Sequence, residues 1–406
     1  MLITKRKKAV FAIAAIFILV LSACGNATET GSPTEGLSAL DAAVTQTLSA
    51  LQTAEALPTA TSTPAPTATL APVTKSGPTN FPADVNPLTG LKVSNPDILN
   101  RRPVMIKVSN YPREGRPHAG LSSADIVIDY YMGVGMDRFM GIYYGQDATQ
   151  VGPIRSGRLV DRFLVAMYQG VLGMEYADAY VYGKLVDRLG YSRMISSSTD
   201  TCPAICSNAT PQTVVSVFAN TSEFTKLYEK KYPGQDLKQN LDGMAFNSVP
   251  PSGGVDGEDL TVHYGIGSIG NWRYDAASRK YLRFQEAETT DPEKFDMVPQ
   301  VDRLTNEQLA FSNVVVMFVY IETLNRDDTL HEYHIMNKQD RALIFRDGKM
   351  YDVTFKTAKE TPIQFFNTDG TIFELQPGNT WIQIVGVNST VEKQSEGTYL
   401  VTQKEP

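Results

Sequence analysis

From Leu57 to Pro72 the chain is built almost wholly of Pro, Thr and Ala. Such a stretch has too little apolar bulk to bury and enough proline to stay extended, so no fold can run through it. It divides the chain into an N-terminal segment that serves some other purpose and a body that starts near Phe81.

The N-terminal segment has the order of an export signal. Lys5, Arg6, Lys7 and Lys8 are followed by an uncharged apolar run from Ala9 to Leu21, then by Leu21-Ser-Ala-Cys24. The run is shorter than the roughly 20 residues of a spanning helix. Small residues before the cysteine suit a signal peptidase. The last four residues resemble the bacterial lipobox, which implies that residues 1–23 are removed and Cys24 is lipidated. Residues 24–80 then form a stalk, and the protein is extracytoplasmic and held to the cell membrane by its acyl chains. Within the stalk Leu37, Leu40, Val44, Leu48 and Leu51 recur at helical spacing. This narrow stripe suits a helix lying on the membrane or the body, or one that self-associates. Removing the four leader cations moves the formal charge from -7 to -11. An acidic body argues against non-specific nucleic-acid binding, which depends on cationic surface.

Two cysteines remain, in Thr201-Cys-Pro-Ala-Ile-Cys206. Outside the cytoplasm they are expected to form a disulfide. A redox-active pair and two free thiols are the other readings.

The body mixes patterns. Arg102–Asn110, the latter part of Leu121–Tyr131, and Arg138–Tyr144 read as strands, whereas Leu159, Phe163, Val165 or Ala166, and Met167 fit a helix. Ser248-Val-Pro-Pro-Ser-Gly-Gly254 marks a junction. Beyond it the candidate strands are Leu260–Tyr264, Trp272–Tyr274, Tyr281–Phe284, Asn313–Val319 and Thr380–Val385, with hairpin signals at Asp347-Gly348 and Asp369-Gly370. The expected class is α+β: an N-terminal domain with a mixed sheet at 81–247 and a smaller strand-rich domain at 255–390.

Several motifs resemble the YerB-like lipoproteins, a family of two consecutive domains of unknown function. In the first domain they are Asn86-Pro-Leu-Thr-Gly90, Arg102-Pro103, Arg116-Pro117, Ala124-Asp-Ile-Val127, Arg138-Phe139 and Gly152-Pro-Ile-Arg-Ser156 with Arg158. In the second they are Tyr274-Asp275, Tyr281-Leu-Arg283, Asn313-Val-Val-Val316, Asp347-Gly-Lys349, Asp369-Gly370 and Leu375-Gln-Pro-Gly-Asn-Thr-Trp-Ile382. The resemblance spans residues 84–386. It implies an envelope lipoprotein with a two-domain α+β body, and it brings no activity, cofactor or catalytic residue. Phe355 stands where a tryptophan is common, and the stretch around Cys202 departs from the family pattern.

The candidate ligand site is Gly152-Pro-Ile-Arg-Ser-Gly-Arg158. Arg155 and Arg158 offer bidentate donors to phosphate or carboxylate, and Ser156 could cap the helix that follows or touch the ligand. The amides of that helix start would add to the attraction for an anion. The competing expectation is that both arginines pair with Asp125 or Asp129 and lock strand to helix. Asp125, Asp129 and Asp137 could also form a carboxylate set for glycan chemistry. His331 and His334 point apart on a strand, which disfavours a metal site. Tyr130, Tyr131, Tyr143, Tyr144, Tyr176, Tyr180 and Tyr182 crowd the first domain, as packing residues or as platforms for sugar rings. No cofactor is expected. The leading expectation is a binding protein for an anionic or saccharide envelope ligand or an envelope protein. The alternative is a cell-wall or glycan-acting enzyme with Arg155, Arg158, Asp125 and Asp129 in one pocket.

Overall fold

A computed structural model describes residues 75–265, 267–287 and 296–404. The export signal, Cys24, the stalk and the Leu37–Leu51 stripe lie outside the described residues.

The first strands of the body are buried on both faces. The long ones are β1 (Val104–Ser109), β2 (Ile126–Gly133) and β3 (Met136–Tyr143), with shorter β4 (Val171–Met174) and β5 (Met194–Ser196). After the junction come β6 (Val255–Gly265), β7 (Ser268–Asp275), β8 (Lys280–Glu286), β9 (Asn313–Val319), β10 (Gln339–Arg346), β11 (Lys349–Ala358), β12 (Thr361–Phe366), β13 (Thr380–Gly386), β14 (Thr390–Ser395) and β15 (Gly397–Thr402). Three α-helices accompany them among the described residues: α1 (Asp161–Met167), α2 (Ala179–Leu189) and α3 (Thr221–Lys231). Asp178 caps α2 by accepting from the Tyr180 amide, and Asn220 caps α3 through the Glu223 amide.

Ten strands form one mixed sheet in the order β5-β4-β1-β3-β2-β13-β9-β10-β11-β12. The first five come from the N-terminal half of the body and the last five from the C-terminal half. The join is a parallel pairing of β2 with β13, which sets Ile128 opposite Ile382 and Asp129 opposite Gln383. A second sheet, β14-β15-β6-β7-β8, belongs wholly to the C-terminal half.

Strand alternation splits the core in two. On one face of the ten-stranded sheet Met105, Ile128, Tyr130, Met140, Val315 and Ile382 pack against Leu164 and Met167 of α1 and Val181 and Leu185 of α2. On the other face Ile106, Phe139, Val314 and Trp381 pack against Phe224 of α3 and against Leu260, Trp272 and Tyr281 of the second sheet. The result is three layers: α1 and α2, the ten-stranded sheet, and a third layer that holds the smaller sheet and α3. The expected hairpin at Asp347-Gly348 joins β10 to β11, with φ +53° and +72° at its two corners.

Candidate functional site

β1, β2 and β3 each present a polar side chain to the helix face at the same end of the sheet. Register sets Tyr130 opposite Arg138, and Lys107 opposite Met140 one step away. All three are buried. Asp161, the first residue of α1, reaches the group from above. Lys107 Nζ donates to Asp161 Oδ1 at 3.1 Å and to the Tyr130 hydroxyl, and that hydroxyl donates to Asp161 Oδ1 at 2.6 Å. The ammonium also lies 4.3 Å from the Tyr130 ring centre. Burial pulls the Lys107 pKa down to about 8 despite the attraction of Asp161.

The arginine loop closes over this base. The Arg155 amide donates to the Lys107 carbonyl at 3.2 Å, and the Arg138 Nη1 donates to the Ser156 carbonyl at 2.9 Å. Arg138, Arg155 and Arg158 therefore crowd around one short segment. Burial, reinforced by the like charges of Arg158 and Arg155, brings the Arg138 pKa down to about 9. Burial lowers that of Arg158 as well. Arg158 Nη1 donates to the Gly157 carbonyl at 3.2 Å. Glu175, next to exposed Tyr176, lies 3.7 Å from Arg155 Nη1.

The nearby acids do not saturate these cations. Asp161 is committed to Lys107 and Tyr130, and its Oδ2 takes the Arg158 amide at 2.7 Å. The Nε atoms of Arg138, Arg155 and Arg158 are all buried with no hydrogen-bond partner among the described residues. Orphaned guanidinium donors are costly in a protein interior. Three at one place mark a site able to accept an oxyanion.

Several expectations are corrected. The helix after the loop is a short one, and its first amides, those of Asp161, Arg162 and Phe163, already donate to the Arg158, Leu159 and Val160 carbonyls, so the helix start is not the anion attractor. Ser156 does not cap it, because Val160 holds that position. Neither Asp125 nor Asp129 joins Arg155 or Arg158, either as structural partner or as catalytic carboxylate. The reason is alternation: Asp129 points to the face opposite Lys107 and Tyr130. Asp125, four residues earlier, sits about 13 Å further along the strand. There it accepts the Tyr144 and Gly145 amides at 2.6 and 2.9 Å and the Asn86 side-chain amide at 2.9 Å. Burial pushes its pKa up to about 6 against those three donors.

Asp129 belongs to a second buried network, between the sheets. It accepts Trp381 Nε1 at 3.3 Å and lies 3.7 Å from Arg283 Nη2. The Arg283 guanidinium is stacked 4.2 Å from the Trp381 ring and 4.9 Å from Trp272. Asp137 is the diagonal neighbour of Asp129 on β3 and accepts from Asn110 at 2.6 Å. Burial and the Asp137 charge raise the Asp129 pKa well above the carboxylate range. Arg116 continues the network by donating to Glu286 Oε1 at 2.8 Å.

His331 and His334 face different acids, Asp328 at 2.7 Å and Glu322 at 3.1 Å. The Cys202–Cys206 disulfide is formed, with Cα atoms 5.1 Å apart.

Sequence reasoning missed Lys107, Tyr130, Arg138, Asp161 and Glu175 as members of the site. A signal for one of them was present, since Lys107 interrupts Val-Met-Ile-Lys-Val, a run otherwise fit for complete burial.

Comparison with known proteins agrees with this architecture. A family model described as the N-terminal domain of a protein of unknown function (DUF3048) matches residues 88–233, and its C-terminal counterpart matches residues 260–382. A Bacillus subtilis (strain 168) protein that carries the name lipoprotein YerB is 25% identical over 305 residues, covering 74% of this chain and 85% of its own. The crystal structure of YerB protein from Bacillus subtilis superposes with a TM-score of 0.61 at 23% identity, over 74% of this chain and 96% of that one.

Proposed function

The chain belongs to the YerB-like lipoprotein family, and from that premise we propose that it is a membrane-tethered extracytoplasmic receptor for an anionic group of a cell-envelope polymer. The ligand enters at Arg155-Ser-Gly-Arg158, with Arg138 beneath. One observation carries this reading: three guanidinium Nε atoms from two separate elements are buried and unpartnered around the same loop. A bound oxyanion satisfies them, and the Asp161–Lys107–Tyr130 cluster holds the floor rigid while it does so. Tyr176 and Tyr180, exposed beside Glu175 and at the start of α2, offer ring faces to a sugar next to its charge. The tether through Cys24 keeps the site near the membrane surface.

The enzyme alternative loses its carboxylates, because Asp125 and Asp129 stand in other networks. The test is titration of the soluble body with a glycerol-phosphate oligomer, a muropeptide and a uronic-acid oligosaccharide. Arg155→Ala and Arg158→Ala are each expected to weaken binding of one of these at least tenfold, the value of one charge-assisted hydrogen bond of about 1.5 kcal/mol or more. Unchanged affinity in both variants for every ligand removes the site.

A further inference from the structure

Of the acids that attract the loop arginines among the described residues, Glu175 is held loosely, whereas Asp178, which acts on Arg158, accepts the Tyr180 amide at 2.9 Å. Asp161 has contacts of 2.6, 2.7 and 3.1 Å. The Glu175 carboxylate has Arg155 at 3.7 Å and Gln212 Nε2 at 3.4 Å, both long for charge-assisted hydrogen bonds. Its backbone is nonetheless fixed beside the loop, because its amide donates to the Arg155 carbonyl at 3.1 Å. The side chain can therefore swing away without disturbing the arginines. It is partly exposed, as is Arg155, so the pair lies at the mouth of the cluster rather than at its floor.

We infer that Glu175 is a resident competitor, a carboxylate that leans on Arg155 until a phosphodiester of the ligand displaces it. This rests on the anion-site reading above and adds both a ligand class and a control on affinity. The class follows from the donors. Arg138 comes from β3, and Arg155 and Arg158 come from two points of the loop, so the three free Nε groups reach the site from separate backbone positions. A tetrahedral phosphate presents acceptors in several directions at once. The charged and polar groups facing Glu175 are Arg155, Arg138 and Gln212, with Arg158 beyond them and Lys107 already neutralised by Asp161. Burial raises the Glu175 pKa above its ordinary value. Acidification thus neutralises the competitor while a phosphodiester keeps its charge, and affinity for the polymer rises as pH falls.

The experiment measures the affinity of a glycerol-phosphate oligomer for wild type, Glu175→Gln and Arg155→Ala at pH 7.5 and pH 4.5. Removing one charge a few ångströms from the ligand at the protein surface is worth about a three- to tenfold change. Glu175→Gln is expected to bind about that much tighter at pH 7.5 and to show little pH dependence. Wild type is expected to tighten on acidification, and Arg155→Ala to bind weakly at both values. Binding by Glu175→Gln that equals or falls below wild type at pH 7.5 overturns the competitor, while loss of binding in Arg155→Ala still upholds the site. If the oligomer binds neither protein, but a muropeptide or uronate binds in an Arg155-dependent way, the phosphodiester class falls and the site stands. If no ligand binds through Arg155, both readings fall together.

Discussion

Asp129 shows what a single buried carboxyl imposes on the whole protein. Its oxygen Oδ1 and the Asp137 Oδ2 have no partner among the described residues, and the two side chains project to the same face from adjacent strands. Arg283 is the cation that offsets them, and its Nε is engaged by Gln300. A proton held by Asp129 and shared with Asp137 reconciles both orphaned oxygens. Because the folded state holds this proton above the unfolded pKa near 4, the stabilisation is complete below that pH. It is lost as pH rises towards the folded value. Asp129→Asn keeps the shape and supplies a permanent donor to Asp137. We therefore expect the variant to match wild type at pH 4 and to exceed its unfolding free energy at pH 8, by about 1.4 kcal/mol for each unit of upward shift. Urea denaturation at both pH values checks this. Taking the difference between the two proteins cancels the contributions of Asp125 and of His118, whose burial pulls its pKa down to about 3. A variant less stable than wild type at pH 8 would mean that Asp129 works as an ionised partner of Arg283.

At the scale of elements the decisive contact is the β2–β13 pairing. Ile126–Tyr130 is matched residue for residue with Thr380–Ile384, and no bulge interrupts the ladder. Each half of the body alone would expose a central hydrophobic strand edge, the kind of edge that folded proteins avoid. Fragments 75–250 and 251–404 are thus expected to be insoluble or unfolded when made separately, and to regain native circular dichroism when refolded together. A soluble, cooperatively melting 75–250 fragment would contradict the shared sheet. This pairing also explains the uneven legibility of the sequence. Asn313–Val319 and Thr380–Val385 announced themselves through β-branched runs, and Asp347-Gly348 through the positive φ that its turn needs. Helices α2 and α3 did not, since α2 fully buries only Val181 and Leu185, and α3 only Thr221, Phe224 and Tyr228. A stripe that thin carries little periodic signal. Partners such as Tyr130 and Trp381 are set by pairing between strands far apart in the chain, which no local pattern encodes. The arginine loop was legible because Gly, Pro, Arg and Ser are unusual together. Lys107 and Glu175 join it only through strand parity and a backbone crossing.

For the whole molecule, the proposed anchor at Cys24 can be tested directly. Removal of residues 1–23 would take the formal charge from -7 to -11, which an anionic membrane surface repels. Cys24→Ser is expected to abolish palmitate labelling and to shift the protein from the membrane fraction to the soluble fraction, with the unfolding transition of the body unchanged. Labelling that persists in Cys24→Ser would move the anchor elsewhere. The late position of β13 carries a consequence for biosynthesis. The strand that β2 needs beside it emerges only after nearly all of the chain has been made, so the first half must wait with its flank open. A transcript ending early would leave that flank bare, ready prey for envelope proteases, and only full-length molecules would persist at the cell surface.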